Sequence, residues 1–168
     1  MIIVIDFGSQ YNQLIARRIR ECRVYCQIEP PFADIAAIKA LNPEGIILSG
    51  GPASIYEANS PKIDPAIFDL GIPVLGICYG MQFMIHALGG KVEKTTKREY
   101  GFAELDIKDS AGLFENIDEH TSCWMSHGDA IVGLPPDFLA TAATANTDFA
   151  GVENLKRNLY GLQFHPEV

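Results

Sequence analysis

Residues 73–90 restrict most narrowly what this chain can fold into. They read Pro-Val-Leu-Gly-Ile-Cys-Tyr-Gly-Met-Gln-Phe-Met-Ile-His-Ala-Leu-Gly-Gly, an apolar run of strand length that stops at Cys78 between Gly76 and Gly80. A mostly apolar segment of helical length follows and closes on Gly89-Gly90. The G-x-C-x-G spacing matches the G-x-S-x-G nucleophile elbow, whose glycines tolerate a strained turn and leave room around an exposed nucleophile. A helix starting just after Cys78 aims unpaired N–H groups and the positive end of its dipole at the sulfur, which favours thiolate over thiol. The same pattern also fits a buried cysteine in a parallel sheet, with glycines easing helix packing. Taken alone, the stretch leaves both readings open.

The rest of the first half repeats the strand-to-helix theme. Residues 1–5 form a continuous apolar run, mostly β-branched, the mark of a strand buried on both faces. They lack a basic n-region and meet an acid at Asp6, so they read as a strand and not as a signal peptide. Asp6-Phe7-Gly8-Ser9-Gln10 turns the chain, with Ser9 a candidate helix cap. That turn has neither the P-loop lysine nor the G-x-G-x-x-G spacing and reads as a plain connection. Tyr11, Leu14, Ile15, Ile19 and Cys22 make an apolar stripe at helical spacing. Further strands are expected at residues 24–28, 45–49 and 73–77, further helices at 34–41 and 64–70, and a surface loop at 53–62. This alternation predicts right-handed crossovers and a parallel sheet with helices on both faces, in which ligands sit at the carboxyl ends of the strands. Cys78, Gly50-Gly51 and Asp6-Phe7 all fall at such ends.

The second half changes character. Residues 100–107 alternate like a half-exposed strand, and 138–143, 149–152 and 159–164 also read as strands, joined by short polar turns. They predict an antiparallel or mixed extension of the sheet. At 168 residues, with 48% hydrophobic and 20% charged side chains, the chain suits one globular domain. No apolar run approaches a membrane span. The net charge of −8 argues against nucleic acid as the main partner. Cys22, Cys26, Cys78 and Cys123, without a secretory signal, point to a reducing cytosol. Cys22 and Cys26 lack a second Cys or His pair for zinc, and burial as small hydrophobes is expected for both and for Cys123.

A cysteine nucleophile needs a base, an orienting group and oxyanion donors. Of four histidines, His86 is expected to be packed in the elbow helix and His120 to be solvated. His165 ends a strand-like run before Pro166, which biases it toward an extended conformation. In an extended segment the Glu167 carboxylate falls on the same side, where it would fix the imidazole tautomer and raise its basicity. Backbone N–H groups of Tyr79 and Gly51 are candidate oxyanion donors. Gln82 stands one helical turn beyond the sulfur, placed to hydrogen-bond a substrate. His127, in Trp124-Met125-Ser126-His127-Gly128-Asp129, is the rival base.

At these residues the chain resembles the class I (triad) glutamine amidotransferases, in the branch that forms the amidotransferase domain of glutamine-hydrolysing GMP synthetases. The matching stretches are Asp6-Phe7-Gly8-Ser9-Gln10-Tyr11, Leu48-Ser49-Gly50-Gly51-Pro52, Gly76-Ile77-Cys78-Tyr79-Gly80-Met81-Gln82, Arg98-Glu99-Tyr100-Gly101, residues 124–129 and Gln163-Phe164-His165-Pro166-Glu167-Val168. The resemblance implies a flavodoxin-like, three-layer α/β fold and hydrolysis of L-glutamine to glutamate and ammonia. It implies Cys78, His165 and Glu167 as the catalytic triad and Gly51 and Tyr79 as the oxyanion hole. Gln82, Ser126, Gly128 and Asp129 would contact substrate, and His127 becomes structural or inter-domain. No metal and no cofactor are implied for residues 1–168, whereas ATP and magnesium belong to a synthetase partner. That partner is an ATP-pyrophosphatase domain that aminates XMP to GMP, in the same chain or as a separate subunit, in a cytoplasmic enzyme expected to be a homo-oligomer. It is absent from this chain, and the family pattern runs on past Val168 through a closing helix, so the domain is expected to lack its C-terminal end. Arg98 to Gly101 with Lys91, Lys94 and Lys97 are candidate docking surface. Other readings are a glutaminase serving another synthase, a cysteine hydrolase or peptidase on a similar elbow, and a non-catalytic binding module.

Overall fold

A computed structural model describes all 168 residues. The first half runs β1 (Ile2–Ile5), α1 (Asn12–Glu21), β2 (Cys26–Glu29), α2 (Ile35–Ala40), β3 (Gly45–Leu48), a 3-10 helix (Pro65–Asp69), β4 (Val74–Ile77) and α3 (Tyr79–Ala87). The second half adds β5 (Lys91–Ile107), β6 (His120–Gly133), β7 (Leu139–Ala143), β8 (Gly151–Asn154) and β9 (Leu159–Leu162). One sheet holds all nine strands in the order β2-β1-β3-β4-β9-β8-β7-β5-β6. The five from β2 to β9 run parallel, and the remaining four continue antiparallel. The expected α/β architecture, with its antiparallel extension, is present.

The three layers follow from the alternation of side chains along the buried strands. Ile3, Ile5, Ile46, Leu48 and Val74 face one side, where Ile38 of α2, Ile67 and Phe68 of the 3-10 helix and Met81, Met84 and Ile85 of α3 cover them. Val4 and Ile77 face the other, against Ile15 and Ile19 of α1. Phe114, Met125, Leu162 and Phe164 fill a second core under the antiparallel part.

Several sequence expectations change. The 64–70 helix is a 3-10 turn started by Pro65 and capped by Asp64, whose carboxylate accepts from the Ala66 N–H at 2.9 Å. Strand β5 begins at Lys91, not residue 100, and β6 has no counterpart among the expected strands. Residues 91–98 are mostly polar and largely exposed, so no buried face marks them as a strand; the pairing of residues 91–94 with β6 does. Ser9 sits two residues before the cap position, its hydroxyl accepting from the Tyr11 N–H at 3.0 Å. Cys22 is exposed at the end of α1, whereas Cys26 and Cys123 are buried.

The elbow glycines act through space rather than through φ. Neither Gly76 nor Gly80 has a positive φ; the strained residue is Cys78 itself, at φ 50° and ψ −109°. A Cβ on Gly80 would lie 2.3 Å from the Leu48 carbonyl oxygen, and one on Gly76 would lie 2.6 Å from the Met81 nitrogen. The helix is thus seated directly on two strand backbones. Gly80→Ala should destabilise the fold by at least about 2 kcal/mol, because main chain cannot yield as a side chain can. Gly71→Ala, at a positive φ with open space around it, should cost about 1 kcal/mol. Urea unfolding of the two variants checks the order, and equal midpoints would contradict it.

Candidate active site

Adjacent parallel strands deliver Cys78 and His165. β4 and β9 pair in register, Ile77 against Leu162, and Cys78 N–H donates to the Leu162 carbonyl at 2.7 Å. Cys78 follows β4 and His165 follows β9 by three residues, so both emerge at the carboxyl edge of the sheet. Cys78 then begins α3, whose first helical hydrogen bond runs from Gln82 N–H to the Cys78 carbonyl at 3.1 Å. The N–H of Tyr79 stands ahead of that bond and faces the turn without a helical acceptor.

His165 Nδ1 lies 2.8 Å from Glu167 Oε1, with both side chains almost fully buried. The expected pairing is present, but its cause differs: residues 163–167 form bends and a turn after β9, not an extended strand. Burial disfavours the imidazolium, yet hydrogen bonding to Cys78 and to Glu167 outweighs it and raises His165 from 6.5 to about 9. Arg18 Nε donates to the Glu167 carbonyl at 3.1 Å, tying α1 to this turn. Tyr11 packs edge-on against the imidazole, centroids 5.3 Å apart. Gly50 leaves room for the ring, since a Cβ there would meet His165 Cε1 at 2.8 Å. Tyr11, Arg18 and Gly50 carry no local signal that links them to His165; only the fold brings them there.

These groups open into a cavity of about 560 Å³ whose wall includes Gly51, Cys78, Gln82, Ser126, Gly128, Asp129 and His165. The wall opposite the elbow is β6, the strand without a local sequence signal. Its carbonyls organise the site: Trp124 accepts from His165 N–H at 2.9 Å, Ser126 from Cys78 Sγ at 3.4 Å and Asp129 from Gln82 Nε2 at 3.0 Å. Gln82 Nε2 also donates to Gln163 Oε1 at 3.2 Å. A carbonyl can only accept, so the Gln82 amide orientation is fixed; with both its hydrogens engaged, Oε1 is the group left to offer a ligand. Gly51 presses on the Phe7 carbonyl, which a Cβ would approach to 2.4 Å, and only glycine fits there.

The other histidines separate cleanly. His127 points away from the sulfur, its Nε2 3.1 Å from Glu99 Oε2 and its Nδ1 2.9 Å from the Asp129 carbonyl. It is not the base. His120 is exposed beside Asp106. His86 is exposed too, against Tyr56, rather than packed in the helix. Burial, and secondarily the Glu99 charge, pushes the Cys123 thiol up to about 11, leaving it inert. Lys94 and Arg98 line the cavity, and Lys91 pairs with Glu93 at 2.8 Å. No group of three or more His, Cys, Asp or Glu side chains is placed to hold a metal ion.

A cysteine at an elbow, facing a histidine that a carboxylate holds, sits on a fold whose likeness to known proteins is close. The family model for class-I glutamine amidotransferases matches residues 3–168, and the chain belongs to that family. The GMP synthase [glutamine-hydrolyzing] of Heliobacterium modesticaldum is 54% identical over 167 residues, covering 99% of this chain and 33% of that protein. The enzyme of the same name from Acetivibrio thermocellus is 52% identical over the whole chain and 33% of its own length. The crystal structure of a Thermoplasma acidophilum protein assigned as one subunit of a GMP synthase superposes with a TM-score of 0.84 at 31% identity, covering 99% of this chain and 84% of that one. The chain spans about a third of the length of the curated relatives it matches.

The raised His165 makes stability pH-dependent. A group whose folded pKa, about 9, exceeds its unfolded value of 6.5 contributes stability fully below about 6.5 and loses it as pH rises to about 9. Denaturant melts of the wild type should therefore weaken across that window. Cys78→Ala, which removes one of the two partners that raise the ring, should weaken less. Parallel pH profiles for the two proteins would contradict the assignment.

Proposed function

We propose that residues 1–168 are the glutaminase domain of a glutamine-hydrolysing GMP synthase. The observation that carries this reading is the meeting of Cys78 and the His165–Glu167 pair at the ends of adjacent strands. They face one cavity, with the Gln82 amide oriented beside them. In this reading Cys78 sulfur attacks the side-chain amide carbon of L-glutamine, and the N–H groups of Gly51 and Tyr79 receive the developing oxyanion. The proton that leaves the sulfur resides on His165, which is held up to about 9, and passes from there to the departing nitrogen. Ammonia leaves and a glutamyl thioester remains. The now neutral imidazole takes a proton from water as that water attacks the thioester, and collapse expels the sulfur and yields glutamate. Glu167 holds the ring in one tautomer through both steps. Gln82 Oε1 would accept from an N–H of the substrate, with Ser126, Gly128 and Asp129 around its α-amino and α-carboxylate groups.

The names and lengths of the relatives support the remainder of the proposal. Ammonia passes to an ATP-pyrophosphatase domain, in the same protein or a separate subunit, which uses ATP and magnesium to aminate XMP. The full enzyme is a cytoplasmic homo-oligomer; the glutaminase residues themselves use no cofactor. No helix of residues 1–168 is long and apolar enough to cross a membrane.

Glutamine incubated with the protein, alone and with the synthetase partner and its ligands, should release glutamate and ammonia. Cys78→Ala should lower the rate by at least about 1000-fold. His127→Ala should keep measurable activity. Full activity in the Cys78 variant, or turnover of peptides but not glutamine, would overturn the proposal.

A further inference from the structure

Behind the β6 wall lies a second carboxylate–imidazole pair that the proposed chemistry does not use. Glu99 and His127 face each other in register across β5 and β6, their side chains 7% and 1% exposed. Strand β5 reaches this register only after an irregularity: Lys94 opposes Asp129 and Glu99 opposes His127, so four β5 residues stand against Gly128 alone. The excess places Lys94 and Arg98 on the cavity rim and turns Glu99 inward.

The hydrogen bonds fix the ring's Nδ1–H. The Asp129 carbonyl can only accept, so His127 Nδ1 carries a hydrogen. Nε2 then faces Glu99 Oε2, a contact that is attractive only with a proton between them. Glu99 also accepts from Thr144 Oγ1 at 3.0 Å and Asn146 Nδ2 at 3.3 Å. The pair is buried, and both ring nitrogens and both carboxylate oxygens are partnered. Its outward donation goes to the Asp129 carbonyl, the same oxygen that accepts from Gln82 Nε2. Without Glu99 the His127 ring is free to adopt the other tautomer, which sets a lone pair against that carbonyl and loosens the anchor of the Gln82 amide.

We propose that Glu99 and His127 are positioning residues that fix, through the Asp129 carbonyl, the orientation of Gln82 and hence recognition of a glutamine-shaped substrate. This rests on the glutaminase reading of the cavity, and the test separates the two. Cys78 in the protein is alkylated with 6-diazo-5-oxonorleucine, a glutamine-shaped electrophile, and in parallel with iodoacetamide, which needs only an accessible thiol. Mass spectrometry of the Cys78 peptide distinguishes it from exposed Cys22.

Glu99→Ala and His127→Leu should slow labelling by the glutamine analogue by about 10–100-fold while iodoacetamide labelling stays within about twofold of wild type. Glu99→Gln, whose amide can donate to Nε2 and preserve the Nδ1–H tautomer, should stay within about threefold of wild type with both reagents. An unchanged ratio of the two rates in Glu99→Ala and His127→Leu would overturn the positioning role. So would an equal fall with both reagents, which is the mark of general disruption. A wild-type Cys78 that reacts with iodoacetamide but never with the analogue would overturn the glutaminase reading beneath it.

Discussion

The structure depends on one crossing of main chain over main chain. Helix α3 starts immediately after β4 and lies on β3 and β4 so closely that Gly76 and Gly80 admit no side chain. That contact forces the reversal onto Cys78, which alone of the three takes a positive φ. A non-glycine residue held there stores of the order of 1–3 kcal/mol, sustained by the surrounding core of Ile3, Leu48, Met81 and Met84. The sulfur is thereby fixed at the edge of the sheet, beside the start of a helix and next to the strand that leads to His165. Were α3 to stand off by even a side chain's width, Cys78, the Tyr79 N–H and Gln82 would lose their common geometry.

The second half of the chain supplies the facing wall. Strand β6 presents backbone carbonyls to Cys78, His165 and Gln82, so its role is carried by main chain and is insensitive to most of its side chains. One side chain is an exception. His127 points behind the wall and meets Glu99, and together they brace the carbonyl to which Gln82 is tied. The site is thus held from two directions, by apolar packing under α3 and by a buried polar network under β6.

This division explains what could be read from the sequence. The parallel half is legible because each strand is a short apolar run and each connection has its punctuation, and the elbow is legible because Gly76, Cys78 and Gly80 crowd one turn. His165 and Glu167 are legible as a pair although the chain bends there instead of extending; two residues' separation suffices in either geometry. Strand β6 is not legible, since Ser126, His127, Gly128 and Asp129 offer no alternation and its identity comes from long-range pairing with β5. Glu99 sits among charged residues that are exposed, and nothing local distinguishes the one that turns inward. Tyr11, Arg18 and Gly50 become neighbours of the histidine turn only through tertiary packing.

The central claim is that Cys78 acts as a covalent nucleophile toward glutamine. Rapid acid quench of the protein during turnover, followed by mass spectrometry of its peptides, tests this most directly. The expected result is a glutamyl adduct on the Cys78 peptide that appears with glutamine, decays after the glutamine is removed, and is missing in Cys78→Ala. Glutamine hydrolysis that proceeds at the wild-type rate in Cys78→Ala, with no adduct on any peptide, would contradict the account.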